Sequence, residues 1–442
     1  MSTLPAWLRG PFRRRDPLPL GEGGGAILSA LAARSLAGGG WALLSLGLGL
    51  ALGVARTMVV ARFLGAEELG VFGIALLALG TVEAVTSTGV ETALVSHPGE
   101  AEEDLDPAFT IQVLRGLLVA AAVFAAAPLA ASFLGSGRAT PVIRAVAVLA
   151  LLRGLANPAL ALATRRMEFG RLFWWSVPEQ VAGFVLAVGL AVARRDVWAL
   201  VAAAVGSQVV AVAASWAMLP RRPRLVLRGE GVRRLLHYGK WVSGARTMMF
   251  LSLNADNAVV ARFLGAGALG IYQLAFRIGE LGVSTFTRAM VQVALPVLSQ
   301  LQASPARLGR AFRAVFRLAL VANAVFAVGV ALFAHPVVER LLGREWLPAV
   351  PVLRILAVAM VFRAVVVVSN QLFNAVGRPS LTLQVNAVRL GVMLAAVLPL
   401  LHAFGLRGVA LSVLLGGLAS AVLCLHRARG VLEPERVPAG ER

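Results

Sequence analysis

The chain carries one cysteine, Cys424, in 442 residues. No internal disulfide is possible, and no cysteine metal site can form. The five histidines are scattered, without the spacing of metal ligands. There is no Ser/His/Asp set and no pair of carboxylates placed for acid–base work, so the sequence offers no catalytic constellation and implies no cofactor. Gly21 to Gly25 is a glycine-rich stretch interrupted by Glu22, but neither Lys-Ser/Thr nor a strand follows, which excludes a phosphate loop. Acidic side chains are few: 22 Asp and Glu stand against 42 Lys and Arg, for a net charge of +20. Long hydrophilic stretches are missing as well. The longest polar link is about twenty residues, too short for a folded domain. That counts against any enzyme needing an extramembrane face and places function within the apolar segments.

What is abundant is apolar sequence. The hydrophobic fraction is 58% and the mean hydropathy +0.80, against about 45–50% apolar residues in a soluble protein. The excess falls in runs of roughly 20 residues or more, the length that crosses a hydrocarbon core. Unbroken apolar runs select helices over alternating strands. Twelve spans are predicted: 36–62, 68–95, 107–134, 141–165, 172–194, 197–219, 239–263, 268–298, 309–342, 348–376, 380–402 and 407–427. The fold class is therefore all-α integral membrane. The basic charge falls in the links between spans, which argues against nucleic acid as a partner.

A repeated passage organises the chain. Val59-Val60-Ala61-Arg62-Phe63-Leu64-Gly65-Ala66 returns intact as Val259 to Ala266, and Leu69-Gly70 returns as Leu269-Gly270. Further on, Pro141-Val142-Ile143-Arg144 is answered by Pro351-Val352-Leu353-Arg354, and Arg153 by Arg363. Six helices per copy is an even number, so both copies enter from one side, as a parallel repeat with a cavity expected between two pseudo-symmetric six-helix lobes. The expected division is a tail over 1–35 that can include an interfacial helix, a first lobe over 36–219, a basic linker over 220–238, a second lobe over 239–428 and a tail over 429–442. Architectures of this class move something across a bilayer.

Orientation follows the arginines. Arg9, Arg13, Arg14 and Arg15, then Arg165, Arg166 and Arg171, then the linker from Arg221 to Lys240, then Arg307, Arg310 and Arg313 all fall on one side. The opposite links carry only Arg138, Arg194, Arg195, Arg340 and Arg344. Both termini are predicted cytoplasmic. The acidic link from Glu100 to Asp106 dissents, although acidic residues weigh little in this rule.

A charge at bilayer depth costs about 2.5–3.5 kcal/mol on insertion scales, so intramembrane charges face protein or water. Gln273, Arg277, Glu280, Ser284, Arg288 and Gln292 form one stripe of span 8. It is either a cavity lining or a packed seam in which Arg277 and Glu280 neutralise each other. Arg153 and Arg363 lie mid-span, their faces extended by Asn157 and Thr164 and by Asn370 and Asn374. Two readings stand: a fork for phosphate oxygens, or hydrogen bonding between helices. Arg56 and Arg246 share Ala-Arg-Thr-Met at different depths and mark either two ends of a path or side chains snorkelling to an interface. Asp256 pairs with an arginine or takes a cation or proton, and Glu83, Ser87 and Glu91 form a weaker stripe of the same kind.

Several passages carry a family likeness. Val59 to Gly70 is similar to the end of the first span in bacterial polysaccharide repeat-unit flippases. Thr88 to Val95, Asn254-Ala255-Asp256-Asn257 with its exit through Tyr272, and Leu295 to Gln302 resemble their second, seventh and eighth spans. The likeness covers about residues 35–428. It implies membership of the multidrug/oligosaccharidyl-lipid/polysaccharide exporter superfamily, with two lobes around a central cationic cavity. It implies a bacterial inner-membrane, non-enzymatic transporter of undecaprenyl-diphosphate-linked oligosaccharide, working by alternating access for surface polysaccharide synthesis. On that resemblance the partners are lipid-linked oligosaccharide and membrane lipids, beside polysaccharide polymerase and glycosyltransferases. Arg153, Arg363, Arg277 and Arg288 are expected to hold the diphosphate. Two alternatives remain open: a cation-coupled drug exporter of the same superfamily, and a non-transporting component of a synthesis complex.

Overall fold

The computed structural model describes residues 24–96, 103–219, 221–226, 230–287, 290–291 and 305–432. Among them helix dominates and no strand occurs, as lipid requires of a chain that must satisfy its backbone internally. In order they form α1 (Gly24–Phe63), α2 (Ala66–Val85), α3 (Val90–Ser96), α4 (Leu105–Phe133), α5 (Ala139–Gly154), α6 (Ala159–Arg165) and α7 (Phe169–Arg194). Then come α8 (Val197–Met218), α9 (Glu230–Gly282), α10 (Pro305–Val337), α11 (Ala349–Ala375), α12 (Pro379–Phe404) and α13 (Leu406–Leu432). Among the described residues ten helices are long and apolar enough to cross a membrane, and the bent pair α5–α6 makes an eleventh. One of the ten, Arg246–Thr287, is 42 residues long, about twice the ~20 a crossing needs. Gly265 divides it, with φ 83° and ψ −179°, a region open essentially to glycine alone. The seventh and eighth predicted spans are its two arms, which brings the crossings to twelve.

Two predicted spans are not continuous. The second breaks between α2 and α3 at Gly89, whose φ is +62°. The fourth breaks between α5 and α6 with a bend of 62°, at Pro158, which lacks an N–H and pushes its predecessor Asn157 away from helical geometry. Helix α9 begins at Glu230, inside the stretch expected as linker. Arg288 and Gln292 lie outside the described residues, as do 1–23, 433–442 and parts of the linker.

The chain forms two compact units: Met1–Leu64 with Ile74–Leu251, and Gly65–Gly73 with Ser252–Arg442. In the first, α4 packs on α5, α7 on α8, α5 on α8 and α1 on α7. In the second, α10 packs on α11, α12 on α13 and α11 on α13. The first three pairings of one unit are the repeat mates of those of the other, so the internal repeat is a repeat of packing. Apolar side chains such as Leu129, Val325 and Leu332 point outward in the manner of lipid-facing residues. The single cysteine, Cys424, is fully buried in a cluster with Phe312, Leu372 and Phe373.

Within the second unit the two copies of the repeated passage meet each other. A Cβ at Gly70 would fall on the carbonyl oxygen of Ala266, and a Cβ at Gly270 would fall on that of Ala66. Gly73 lies against the side chain of its own repeat mate, Gln273. The contact is reciprocal and is made by backbone, so even one methyl forces the helices apart. Gly70→Ala or Gly270→Ala is expected to cost about 1–3 kcal/mol by overpacking, whereas Gly267→Ala, with open space around it, should leave stability unchanged. Thermal unfolding of the detergent-solubilised protein checks this, and equal midpoints for all three variants would contradict it.

Candidate functional site

The two helix breaks of the first unit free backbone carbonyls inside an apolar environment, where an unmet acceptor is costly. Side chains take them. Arg115 of α4 donates from Nε to the Thr86 carbonyl at 2.9 Å and from Nη2 to the Glu83 carbonyl at 2.8 Å. Trp216 donates its indole N–H to the Leu155 carbonyl at 2.8 Å. Asn157, 1% exposed, donates to the Arg221 carbonyl at 2.8 Å and accepts from the Ala159 N–H at 3.0 Å. Its side chain therefore secures the bend.

Between these breaks lies a cavity of about 480 Å³, lined from α3, α4, the α5–α6 bend and α7. Close approach of α4 and α5 shapes one wall: a Cβ at Gly116 would lie 2.8 Å from the Ala150 carbonyl, and one at Gly154 would lie 2.7 Å from the Gln112 carbonyl. Arg153 sits on this wall. Its Nη1 donates to both oxygens of Glu83, at 2.8 and 2.6 Å, yet the side chain stays 47% exposed. Arg246 donates to the Thr92 hydroxyl at 3.2 Å and stands 4.0 Å from Glu91, two residues that line the cavity. Arg56, half-buried on α1, lies beside α7 within electrostatic range of Glu179, which also senses Arg153.

The second unit repeats this arrangement with one reversal. Arg363 Nη2 meets Glu280 Oε1 at 3.2 Å, and its guanidinium lies 5.8 Å from the Phe276 ring centroid. Asp256, 4% exposed, accepts from the Tyr272 hydroxyl at 2.7 Å and from the Asn257 N–H at 2.9 Å. Arg389 donates to the Ser252 carbonyl at 2.6 Å and lies within electrostatic range of both Asp256 and Arg363. Arg56 and Asp256 are repeat mates (256 − 56 = 200), and so are Glu179 and Arg389 (389 − 179 = 210). Arginine faces glutamate in one unit, and aspartate faces arginine at the equivalent places in the other. Ala-Arg-Thr-Met had drawn Arg246 into comparison with Arg56, but the shift of the repeated octamer assigns Asp256 as its mate.

Other predicted site residues sit as follows. Asn370 is half-buried, with an Oδ1 that meets no hydrogen-bond partner among the described residues. Asn374 is exposed one turn further along α11, and Arg277 is exposed on α9. Arg115, Glu179, Arg389, Tyr272, Gln112 and Trp175 were not singled out from sequence. For Glu179 and Arg389 a signal existed: both charges stand inside predicted spans at the shift that relates Arg153 to Arg363.

A family model described as polysaccharide biosynthesis protein matches residues 59–351, more than half of the chain. The chain belongs to this polysaccharide biosynthesis family. It is 27% identical over 320 residues to the succinoglycan biosynthesis transport protein ExoT of Rhizobium meliloti, over 72% of this chain and 65% of that protein. It is 21% identical over 400 residues to the lipopolysaccharide biosynthesis protein WzxC of Escherichia coli, over 89% of this chain and 80% of that one. The match thus spans just under two thirds of ExoT. Among solved structures, the fold is shared with the lipid II flippase MurJ in an inward closed conformation, at TM-score 0.73 and 13% identity, covering 89% of this chain and 87% of MurJ. It is shared as well with an inward-facing multidrug resistance MATE family transporter of the MOP superfamily, at TM-score 0.71 and 17% identity, covering 90% and 96%.

The reversed pairs generate a test. Arg56→Glu or Glu179→Arg alone leaves two like charges within electrostatic range of each other among apolar helices and is expected to lower stability. The double exchange, which recreates in the first unit the order of charges found in the second, should recover most of that loss. Melting temperatures of the four proteins decide it. A double variant no more stable than the worse single one would show that the two groups are not coupled.

Proposed function

We propose that this member of the polysaccharide biosynthesis family turns undecaprenyl-diphosphate-linked oligosaccharide repeat units from the cytoplasmic to the periplasmic leaflet of a bacterial inner membrane. It does so as a transporter, by alternating access of lobes 36–219 and 239–428, with both termini cytoplasmic. It feeds polysaccharide polymerase and receives from glycosyltransferases. The observation that carries the reading is Arg153: one guanidinium nitrogen is held by Glu83, while the side chain remains about half exposed on a cavity wall. An arginine so held is aimed by its carboxylate and keeps the rest of its fork for an anion. In the second unit Arg363, which meets Glu280, and Arg389, near Asp256, lie within electrostatic range of each other and bring two more guanidinium groups to the proposed path. Arg277, Arg288, Asn370 and Asn374 complete the proposed substrate path, and Asn157 serves it by fixing the bend beside Arg153. The glycan stays in water and the polyprenyl tail in lipid. A drug exporter for organic cations would place carboxylates where this chain places guanidinium groups.

Leaflet transfer of labelled lipid-linked glycan in liposomes tests the proposal. A charge-assisted hydrogen bond is worth about 1.5–3 kcal/mol, so joint Arg153→Ala and Arg363→Ala replacement should slow transfer by about tenfold or more. Arg→Lys at both positions keeps the charge but loses the fork and should fall between. Transfer unaffected by the joint alanine change would remove the diphosphate role from this pair.

A further inference from the structure

Aligned at the Arg153–Arg363 shift, α5 and α6 together correspond to α11, yet α11 runs unbroken from Ala349 to Ala375 while its mate bends by 62° at Pro158. The repeat is violated at this bend, and the cavity of the first unit opens beside it. A departure from an internal repeat that costs backbone hydrogen bonds, and that is repaired by Asn157 and Trp216, marks a place where the two halves do different work.

The chemistry of the wall is mixed. Trp175 gives its N–H to the Ala211 carbonyl at 3.3 Å, which leaves the ring as an apolar surface. Gln112 lines the cavity and has a buried Oε1 with no hydrogen-bond partner among the described residues. Thr92 and Thr164 bring hydroxyls, and Arg153 and Glu91 bring one charge of each sign. The volume, about 480 Å³, lies in the range of small-molecule sites, which combine apolar walls with a few convergent polar groups. A flat aromatic face, an unused amide acceptor and neighbouring hydroxyls match a sugar ring, which offers C–H groups on one face and O–H groups around its edge. Arg153 keeps its free guanidinium nitrogens for the diphosphate at the cavity's edge, while the rest of the wall, with Glu91 and no second cation among its lining residues, matches a bare phosphate poorly. On the predicted topology, residues 91–95, 157–164 and 172–175 lie at the cytoplasmic ends of their spans.

We propose that this cavity is a saccharide subsite that receives the first sugars of the lipid-linked substrate on the cytoplasmic side, with Trp175 as stacking platform and Gln112 as specificity-determining acceptor. The inference rests on the flippase reading. Its test is therefore binding rather than transfer, using two probes with the purified full-length protein in nanodiscs: undecaprenyl diphosphate carrying an oligosaccharide, and undecaprenyl diphosphate without sugar. Trp175→Ala and Gln112→Leu should each weaken binding of the glycan-bearing lipid by about fivefold to tenfold and leave the sugar-free lipid unchanged. Trp175→Phe should restore binding to near the original value. Equal weakening for both lipids would show that the cavity takes the diphosphate or chain and would overturn the proposal, as would no weakening at all. If Trp175→Ala fails to fold, judged by its melting temperature, Gln112→Leu and Thr164→Val carry the same comparison. Normal glycan binding without leaflet transfer by the unaltered protein would overturn the transport reading and leave the saccharide subsite standing.

Discussion

Backbone meets backbone where Gly70 lies on Ala266 and Gly270 on Ala66, and much of the architecture follows from that contact. Lipid supplies no hydrophobic force between helices, so close approach over small residues has to hold them together. The nine residues Gly65–Gly73 are drawn out of the first unit into the second to make it. The contact uses Ala66 and Ala266, which close the two copies of the octamer, and Gly70 and Gly270 just beyond them. Both copies must end a span, turn at a glycine and offer the same bare surface, each to the other. In the second copy the turn needs glycine for its backbone, since Gly265 takes a φ of 83°, a region open essentially to glycine, whereas Gly65 turns without a positive φ.

Charge is handled locally. Each unit carries a carboxylate–arginine contact, Glu83 with Arg153 and Glu280 with Arg363, and a second opposite-sign pair deeper in its bundle. The Arg153 side chain stays about half exposed in its contact with Glu83, and an ion pair open to water adds little stability, so its place on a cavity wall points to use rather than to strength. The same holds for Arg115, which closes the end of α2 where Gly89 interrupts the span. The carbonyls that the breaks release are met by long side chains from neighbouring helices, so the bends persist at membrane depth.

Most of the fold was legible because lipid makes the rules few. Length, apolar content and the octamer identified the helices and the internal repeat, and the packing pairs within each unit follow that repeat. The breaks in the second and fourth spans were not read, because hydropathy does not register one glycine or one proline in an otherwise apolar window. Arg153, Arg363 and Asp256 could be singled out as charges without water. Their partners were harder to find. Asn157 extends the face of Arg153 in the sequence, but its side chain is taken by the carbonyl of Arg221, 64 residues away. Trp175 and Gln112 carried no periodic signal, since one residue of each kind on a helix is indistinguishable from ordinary packing.

The reversal between Arg56–Glu179 and Asp256–Arg389 bears on how such a chain can evolve. The repeated octamer is the stretch where homologous recombination within the gene would most readily misalign. A crossover there that deleted the intervening 200 residues (259 − 59) would join Arg56 to the helices that carry Arg389, setting two guanidinium groups together with no carboxylate. The reciprocal, lengthened product would set Asp256 against Glu179. Neither recombinant would carry one charge of each sign at these two places, so the reversal sets the halves apart where the octamer makes them alike.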